Sequence, residues 1–341
     1  MRIAARAAFG LFALLAIGCN TAFEDRPRAA RTVANDALAM RAMERKAELA
    51  EAARLAPFRY AAMPENPRPG YPVAVAVTAG HGVRAAALFA AGRRLGTAAF
   101  FPVDPGDGSR AFLATVIAIP TTINASAATI VLEGPEGPMA EIPLFIEGRQ
   151  FRSETINLTP ALTGIITDDS RERAEQAAHL WAILDSVGEE THFFDAFVFP
   201  VNATRRTSVF GSRRVFMNAN GTSSLSIHAG IDYGVPTGTP VFASGAGRVV
   251  LARERIVSGR SVIIEHLPGV FSLYYHLDSI GVNEGETIAA GAVLGLSGTT
   301  GLSTGPHLHW EVRVFGENTD PDALVARPLL DIPALLSMLG D

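Results

Sequence analysis

The chain has 341 residues, 48% of them hydrophobic, and a formal net charge of −5. That length supports two or three domains with cores of their own, and so mild a charge gives no support to a nucleic-acid binder or a charge-driven membrane-surface protein. Lys46 is the only lysine, which excludes lysine chemistry from the folded body of the protein.

Residues 1–19 read as a targeting segment. Arg2 and Arg6 form a positive start, and Ala7 to Ile17 an apolar stretch too short to span a bilayer. It ends Ala16-Ile17-Gly18-Cys19, and Cys19 is the only cysteine. This ending resembles the lipobox of a bacterial lipoprotein, with Ala16 in place of the usual leucine. The plain alternative is a secretory signal with an incidental cysteine. An unpaired thiol at the end of the apolar stretch favours lipidation of Cys19. Asn20, where aspartate is absent, fits outer-membrane sorting in a two-membrane bacterium. The expectation is an exported protein, lipid-anchored on the periplasmic side, or otherwise secreted.

Residues 20–63 are expected to form a tether that is helical from Glu24 to about Pro57. Ala, Arg and Glu dominate it, and Glu44 and Glu48 lie among Arg41, Arg45 and Lys46. Pro64 to Gly70 is a linker by composition. The period then becomes two. Val73, Val75 and Val77 alternate with Ala74 and Ala76, and short apolar runs follow, separated by Asp104-Pro105-Gly106-Asp107-Gly108 and Glu133-Gly134-Pro135-Glu136-Gly137. Residues 64–150 therefore read as a small Ig-like β-sandwich. His81, in Gly80-His81-Gly82, reads as a surface histidine. Residues 151–203 form a connector with one helix over Asp168 to Val187, begun by Asp168, Asp169 and Ser170. His179 and His192 read as surface or packing residues.

Residues 204–325 are dense in short strands and glycine turns. Ser261 to Leu267 and Phe271 to Leu277 form a hairpin around Pro268-Gly269. A partly rolled antiparallel β-fold is predicted, and 326–341 is left as a C-terminal tail. In Gly305-Pro306-His307-Leu308-His309-Trp310-Glu311, strand alternation puts His307 and His309 on one face. His228-Ala229-Gly230-Ile231-Asp232 puts a histidine and a carboxylate four apart, with a glycine that lets both reach one point. Tyr275-His276-Leu277 adds a further histidine. Nitrogen and oxygen donors of this kind suit zinc, and a catalytic zinc site needs three protein ligands and an open position.

These motifs together resemble the LytM/lysostaphin-type zinc endopeptidases, which cut peptide bonds in the stem peptides or cross-bridges of peptidoglycan. The resemblance covers about Thr207 to Asp322, including Phe210-Gly211-Ser212-Arg213-Arg214, Gly238-Thr239-Pro240-Val241 and Ser303-Thr304-Gly305-Pro306-His307. It implies the family's duplicated-hybrid-motif fold and one zinc ion per chain, held by His228, Asp232 and His309. His276 and His307 then orient or deprotonate the metal-activated water and stabilise the oxyanion. Tyr233, Arg213 and Arg214 are weaker candidates for substrate contacts beside the groove. Glu311 reads first as a solvated strand residue and second as a support for the metal ligands, and His266 as structural or exposed. The competing function is a non-catalytic module of the same type that binds peptidoglycan or activates another hydrolase. A lipoyl- or biotin-carrier hairpin over Gly285 to Gly298 fails because no lysine lies near it.

Overall fold

The computed structural model describes residues 58–340. Cys19, the targeting segment and the tether up to residue 57 lie outside the described residues. Eight strands follow in the first half. They are β1 (Tyr60–Met63), β2 (Pro72–Thr78), β3 (Ala85–Ala90), β4 (Arg93–Ala99), β5 (Phe101–Val103), β6 (Phe112–Ala118), β7 (Ala127–Gly134) and β8 (Gly137–Phe145). They form two antiparallel four-stranded sheets, ordered β1-β2-β6-β5 and β4-β3-β7-β8. The alternation in β2 has a structural reading. Val73, Val75 and Val77 face the core between the two sheets, with Leu88, Ile130 and Leu132. Ala74 and Ala76 face the other way, into a second core shared with Leu324, Leu329 and Leu335. Small side chains on that face let a second layer approach closely, so this sheet is covered on both sides.

The covering layer includes residues sequence reading left as a tail. Ile332–Leu339 is a helix (α4) that buries Leu335, Leu336 and Leu339. The Asp331 carboxylate accepts from the Ala334 amide at 3.1 Å, and Gly340 closes the helix at φ +82°. A second short helix, α3 (Pro321–Val325), precedes it.

The connector is more structured than its composition suggested. Ser153–Asn157 is a strand (β9), followed by α1 (Pro160–Ile166) and α2 (Arg171–Leu184). The α2 helix starts at Ser170, whose hydroxyl accepts from the Arg173 amide. It packs Leu180, Ile183 and Leu184 against Leu251, Ile263 and Leu273.

The remaining strands are β10 (Arg206–Ser208), β11 (Arg213–Met217), β12 (Ser223–Ile227), β13 (Gly230–Tyr233), β14 (Pro240–Phe242), β15 (Gly247–Arg255), β16 (Gly259–Leu267), β17 (Val270–Ile280), β18 (Thr287–Ile288), β19 (Val293–Ser297), β20 (Leu308–Val314) and β21 (Glu317–Thr319). Ten of them form one curled antiparallel sheet with β10-β13-β20-β17-β16-β15-β18 as its spine. The mainly β, antiparallel reading of the fold is borne out. β11 stands apart, paired antiparallel with β12 and parallel with β9. Gly230 is extended rather than a turn residue. A Cβ there would lie 2.1 Å from the Trp310 carbonyl oxygen, so glycine is required for β13 to close against β20.

His266 is fully buried, with Nδ1 donating to the Ala246 carbonyl at 2.8 Å and Nε2 at 2.7 Å from Ser272 Oγ. Burial pushes its pKa down to about 4, against about 6.5 in the unfolded chain. The unfolded state therefore binds the proton more readily. The contribution of neutral His266 is complete above pH 6.5 and is lost as pH falls to 4, by about 3 kcal/mol at about 1.4 kcal/mol per pH unit. Urea unfolding from pH 7 to 4.5 should show this decline, and His266→Gln should flatten it. Equal slopes in the two proteins would contradict it.

Candidate metal centre

Strand register assembles the site. Asp232 on β13 stands opposite His309 on β20, and His309 stands opposite Tyr275 on β17. Residues directly opposite in an antiparallel pair project to the same face. His307 and His309 share that face by alternation. His276 would fall on the other face, but it sits at φ +62°, beside a break in the β16–β17 register. Such a bulge re-aims the side chain toward the cluster. The His276 amide is held by the Ser258 carbonyl at 2.9 Å, and its ring centroid lies 4.7 Å from that of His307.

Three donor atoms converge. His228 Nε2 lies 3.1 Å from Asp232 Oδ1 and 3.1 Å from His309 Nδ1, and His309 Nδ1 lies 2.8 Å from Asp232 Oδ1. All three residues are buried. Tetrahedral zinc with bonds of about 2.05 Å separates its ligand atoms by roughly 3.3 Å, so a small expansion of this triangle admits the ion. The remaining ring nitrogens fix the tautomers. His228 Nδ1 donates to the Val209 carbonyl at 2.9 Å, and His309 Nε2 donates to Glu311 Oε2 at 3.3 Å. Each ring thus turns its other nitrogen to the common point, as a metal ligand must. His228, Asp232 and His309 therefore fit a metal ion by donor type, spacing and tautomer.

Electrostatics divide the histidines. Without a metal, burial would raise the Asp232 carboxyl, but protons carried by His228 and His309 on the nitrogens facing it outweigh this and hold it well below the usual carboxylate range. Burial likewise pulls His309 down, and its contacts with Asp232 and Glu311 more than reverse this, to about 9; a metal ion takes the place of that proton. His276 is pushed down to about 3 by burial and by the neighbouring His307 and His309. Burial also lowers His307 and His228. His276 donates from Nδ1 to the Thr300 carbonyl at 2.7 Å, and His307 from Nδ1 to the Gly305 carbonyl at 2.8 Å. Both are neutral rings with the lone pair on Nε2. His307 Nε2 lies 3.8 Å from Asp232 Oδ1.

Glu311 is not solvated. It is 3% exposed and bonded to both His309 and Arg313, which drives its pKa to about 2 despite burial. Arg313 in turn donates to the Gly316 carbonyl at 2.9 Å and lies under the Trp181 ring of α2. Removing such a partner of a metal-binding histidine lowers metal affinity 10–100-fold. Glu311→Gln should weaken zinc binding by that factor in a competitive chelator titration, and an unchanged affinity would reject the role.

The cluster opens on a cleft of about 660 Å³. It is lined by Glu154 and Ile156 of β9, by Arg205, Thr207 and Arg214, and by Val257, Ser258, Leu302 and Thr304 to His307. Of the three candidate substrate contacts, only Arg214 lines this cleft. Its Nη2 donates to Asp232 Oδ2 at 2.6 Å. Tyr233 is 1% exposed and packs beside Trp310 in the core, because β13 turns it to the face opposite Asp232. Arg213 also points away, with its guanidinium over Phe151 and donating to the Thr121 carbonyl at 2.7 Å. Glu154 was not singled out from sequence, and its only signal was a polar alternation through Ser153–Asn157.

Residues 226–321 match the model of Peptidase family M23. The chain is 40% identical over 122 residues to the DD-carboxypeptidase/endopeptidase Mpg of Neisseria meningitidis, covering 36% of this chain and 27% of that protein. It is 40% identical over 119 residues to the peptidoglycan DD-endopeptidase ShyA of Vibrio cholerae, covering 35% of this chain and 27% of that protein. The matched stretch thus spans little more than a quarter of these relatives. A crystal structure of an M23 peptidase candidate from Pseudomonas aeruginosa superposes with a TM-score of 0.52 at 24% identity, over 76% of this chain and 94% of that one. That likeness extends the shared fold beyond the site domain.

Proposed function

We propose that this protein is a zinc-dependent endopeptidase that cleaves peptide cross-links of bacterial peptidoglycan. The observation that carries the reading is the pairing of a three-donor cluster, His228, Asp232 and His309, with two neutral histidines whose Nε2 lone pairs are free. The residues matched to the M23 family and the relatives named as peptidoglycan DD-endopeptidases support it.

A zinc ion would be held by His228, Asp232 and His309 and would supply Lewis acidity, polarising the scissile carbonyl and making the attacking water more acidic. The chain's own residues do the rest. Asp232 presents Oδ1 to the donor point while Arg214 retains Oδ2. His307 and His276 offer Nε2 as proton acceptors, and their Nδ1–H bonds to Gly305 and Thr300 hold each ring in the tautomer that can accept. The ring that takes the water's proton becomes a cation with an N–H donor beside the tetrahedral oxyanion, and it can return that proton to the leaving amine.

Incubation of the purified protein with intact peptidoglycan, followed by mass analysis of released muropeptides, tests the reading. Cross-linked dimers should fall to monomers, chelation should stop the reaction, and the products name the bond. Zinc binding without muropeptide release from several peptidoglycan types would replace the enzyme with a non-catalytic binding or activating module. The site of action is the cell envelope. Lipidation of Cys19 fits the positive start at Arg2 and Arg6, the apolar stretch to Ile17 and the lone thiol after it. Palmitate labelling should be lost in Cys19→Ala, and equal labelling would remove the anchor.

A further inference from the structure

We infer that Glu154, on the connector strand β9, is a positioning residue for two of the three metal-binding side chains. Glu154 lies outside residues 226–321, the stretch matched to the family. This inference rests on the metal-centre reading above.

The geometry begins with strand pairing. β9 runs parallel to β11, and Glu154 stands in register with Arg214. Inward-facing Glu154 and Ile156 alternate with exposed Ser153, Thr155 and Asn157. The half-buried carboxylate of Glu154 therefore reaches the residues beside the cluster.

It gathers three donors there. Ser208 Oγ lies 2.9 and 2.8 Å from its two oxygens, Ser212 Oγ donates at 2.9 Å, and Arg214 Nε donates at 3.4 Å. Both serines are buried. Two of these contacts lead on to a ligand. Ser208 Oγ is 3.2 Å from His228 Nδ1, the nitrogen whose proton fixes the metal-facing tautomer. Arg214 holds Asp232 Oδ2 at 2.6 Å and so leaves Oδ1 as the oxygen turned to the donor point. One carboxylate thus orders His228 through a hydroxyl and Asp232 through a guanidinium.

The charge balance favours the same assignment. Arg214 lies between two carboxylates, so with Glu154 neutralised its charge is directed at Asp232 alone. That draws electron density from a ligand that has to serve a divalent cation. The two buried hydroxyls would also lose their shared ionised acceptor and compete for His228 Nδ1 and nearby carbonyls.

The test compares wild type with Glu154→Gln, which keeps size and one acceptor oxygen, and with Glu154→Ala. Zinc affinity by chelator competition, the visible spectrum of the cobalt-substituted protein, and the melting temperature of the metal-free protein are read together. The expected result is a zinc Kd raised 10–100-fold and an altered cobalt spectrum in both variants. At saturating zinc, kcat on peptidoglycan fragments should fall about tenfold with KM within threefold. Wild-type zinc affinity and cobalt spectrum in both variants would overturn the inference, including when the melting temperature drops, because a merely structural strand residue predicts that pattern. If wild type proves inactive on peptidoglycan, the affinity and the spectrum still decide the role of Glu154. Failure of the peptidase reading is thereby separated from failure of this one.

Discussion

His309→Ala should lose bound metal and reduce muropeptide release to background. The variant removes one of three protein ligands, and a catalytic zinc site has no fourth to substitute. It also takes away the partner of Asp232 at 2.8 Å and the partner of Glu311 at 3.3 Å. Glu311 then stays buried with Arg313 alone. Breaking a buried charged network by removing one member costs about 3–5 kcal/mol, so the melting temperature should fall as well. Metal content per chain by elemental analysis and peptidoglycan digestion provide the check. Near-stoichiometric zinc with activity within tenfold of wild type would remove His309 from the ligand set.

His307→Ala should behave differently. Its Nε2 faces the cluster from 3.8 Å, and its Nδ1 is committed to the Gly305 carbonyl. The donor triangle closes without it. Zinc content should stay near one per chain while kcat falls about 10²–10⁴-fold, the usual range for a lost general acid or base. KM should change little, because the ring acts on the water and the oxyanion rather than on ground-state binding. Zinc loss parallel to activity loss would instead make His307 a ligand. The contrast between the two variants divides a pair of histidines only two residues apart on one strand.

The division between what was and was not legible in the sequence follows locality. His228 with Asp232, and His307 with His309, are short-range patterns in which one member lies on a strand and the other just before it. Their convergence depends on β13 pairing with β20; the apolar alternation around Trp310 signals the second strand, whereas Gly230 reads in the sequence as a turn and only the structure shows it extended. Glu311 was misjudged for a non-local reason. Alternation gives its face, but its burial depends on neighbours outside that pattern, among them Arg313, which lies under Trp181 of α2. Glu154 was missed because a five-residue polar strand carries no hydrophobic period, and its partner Arg214 lies 60 residues away. Tyr233, a candidate substrate contact in the sequence, directly follows Asp232. In a strand, that adjacency puts it on the opposite face. The terminal helix had its start signal in Asp331-Ile332-Pro333 and its stop in Gly340. Its eight residues gain their stability from docking on the alanine face of β2 and not from propensity.

That alanine face has a thermodynamic consequence. Val73, Val75 and Val77 belong to one interior, and Ala74 and Ala76 to another. Five residues of β2 are therefore divided between two hydrophobic cores, three facing one and two the other. Neither core can open while the other remains intact without exposing a face of the same sheet. The sandwich and the metal-bearing half should melt together as a single cooperative unit, with one calorimetric transition whose midpoint rises when zinc is bound. The metal would then stabilise residues far from it, including the sheet at the opposite end of the chain.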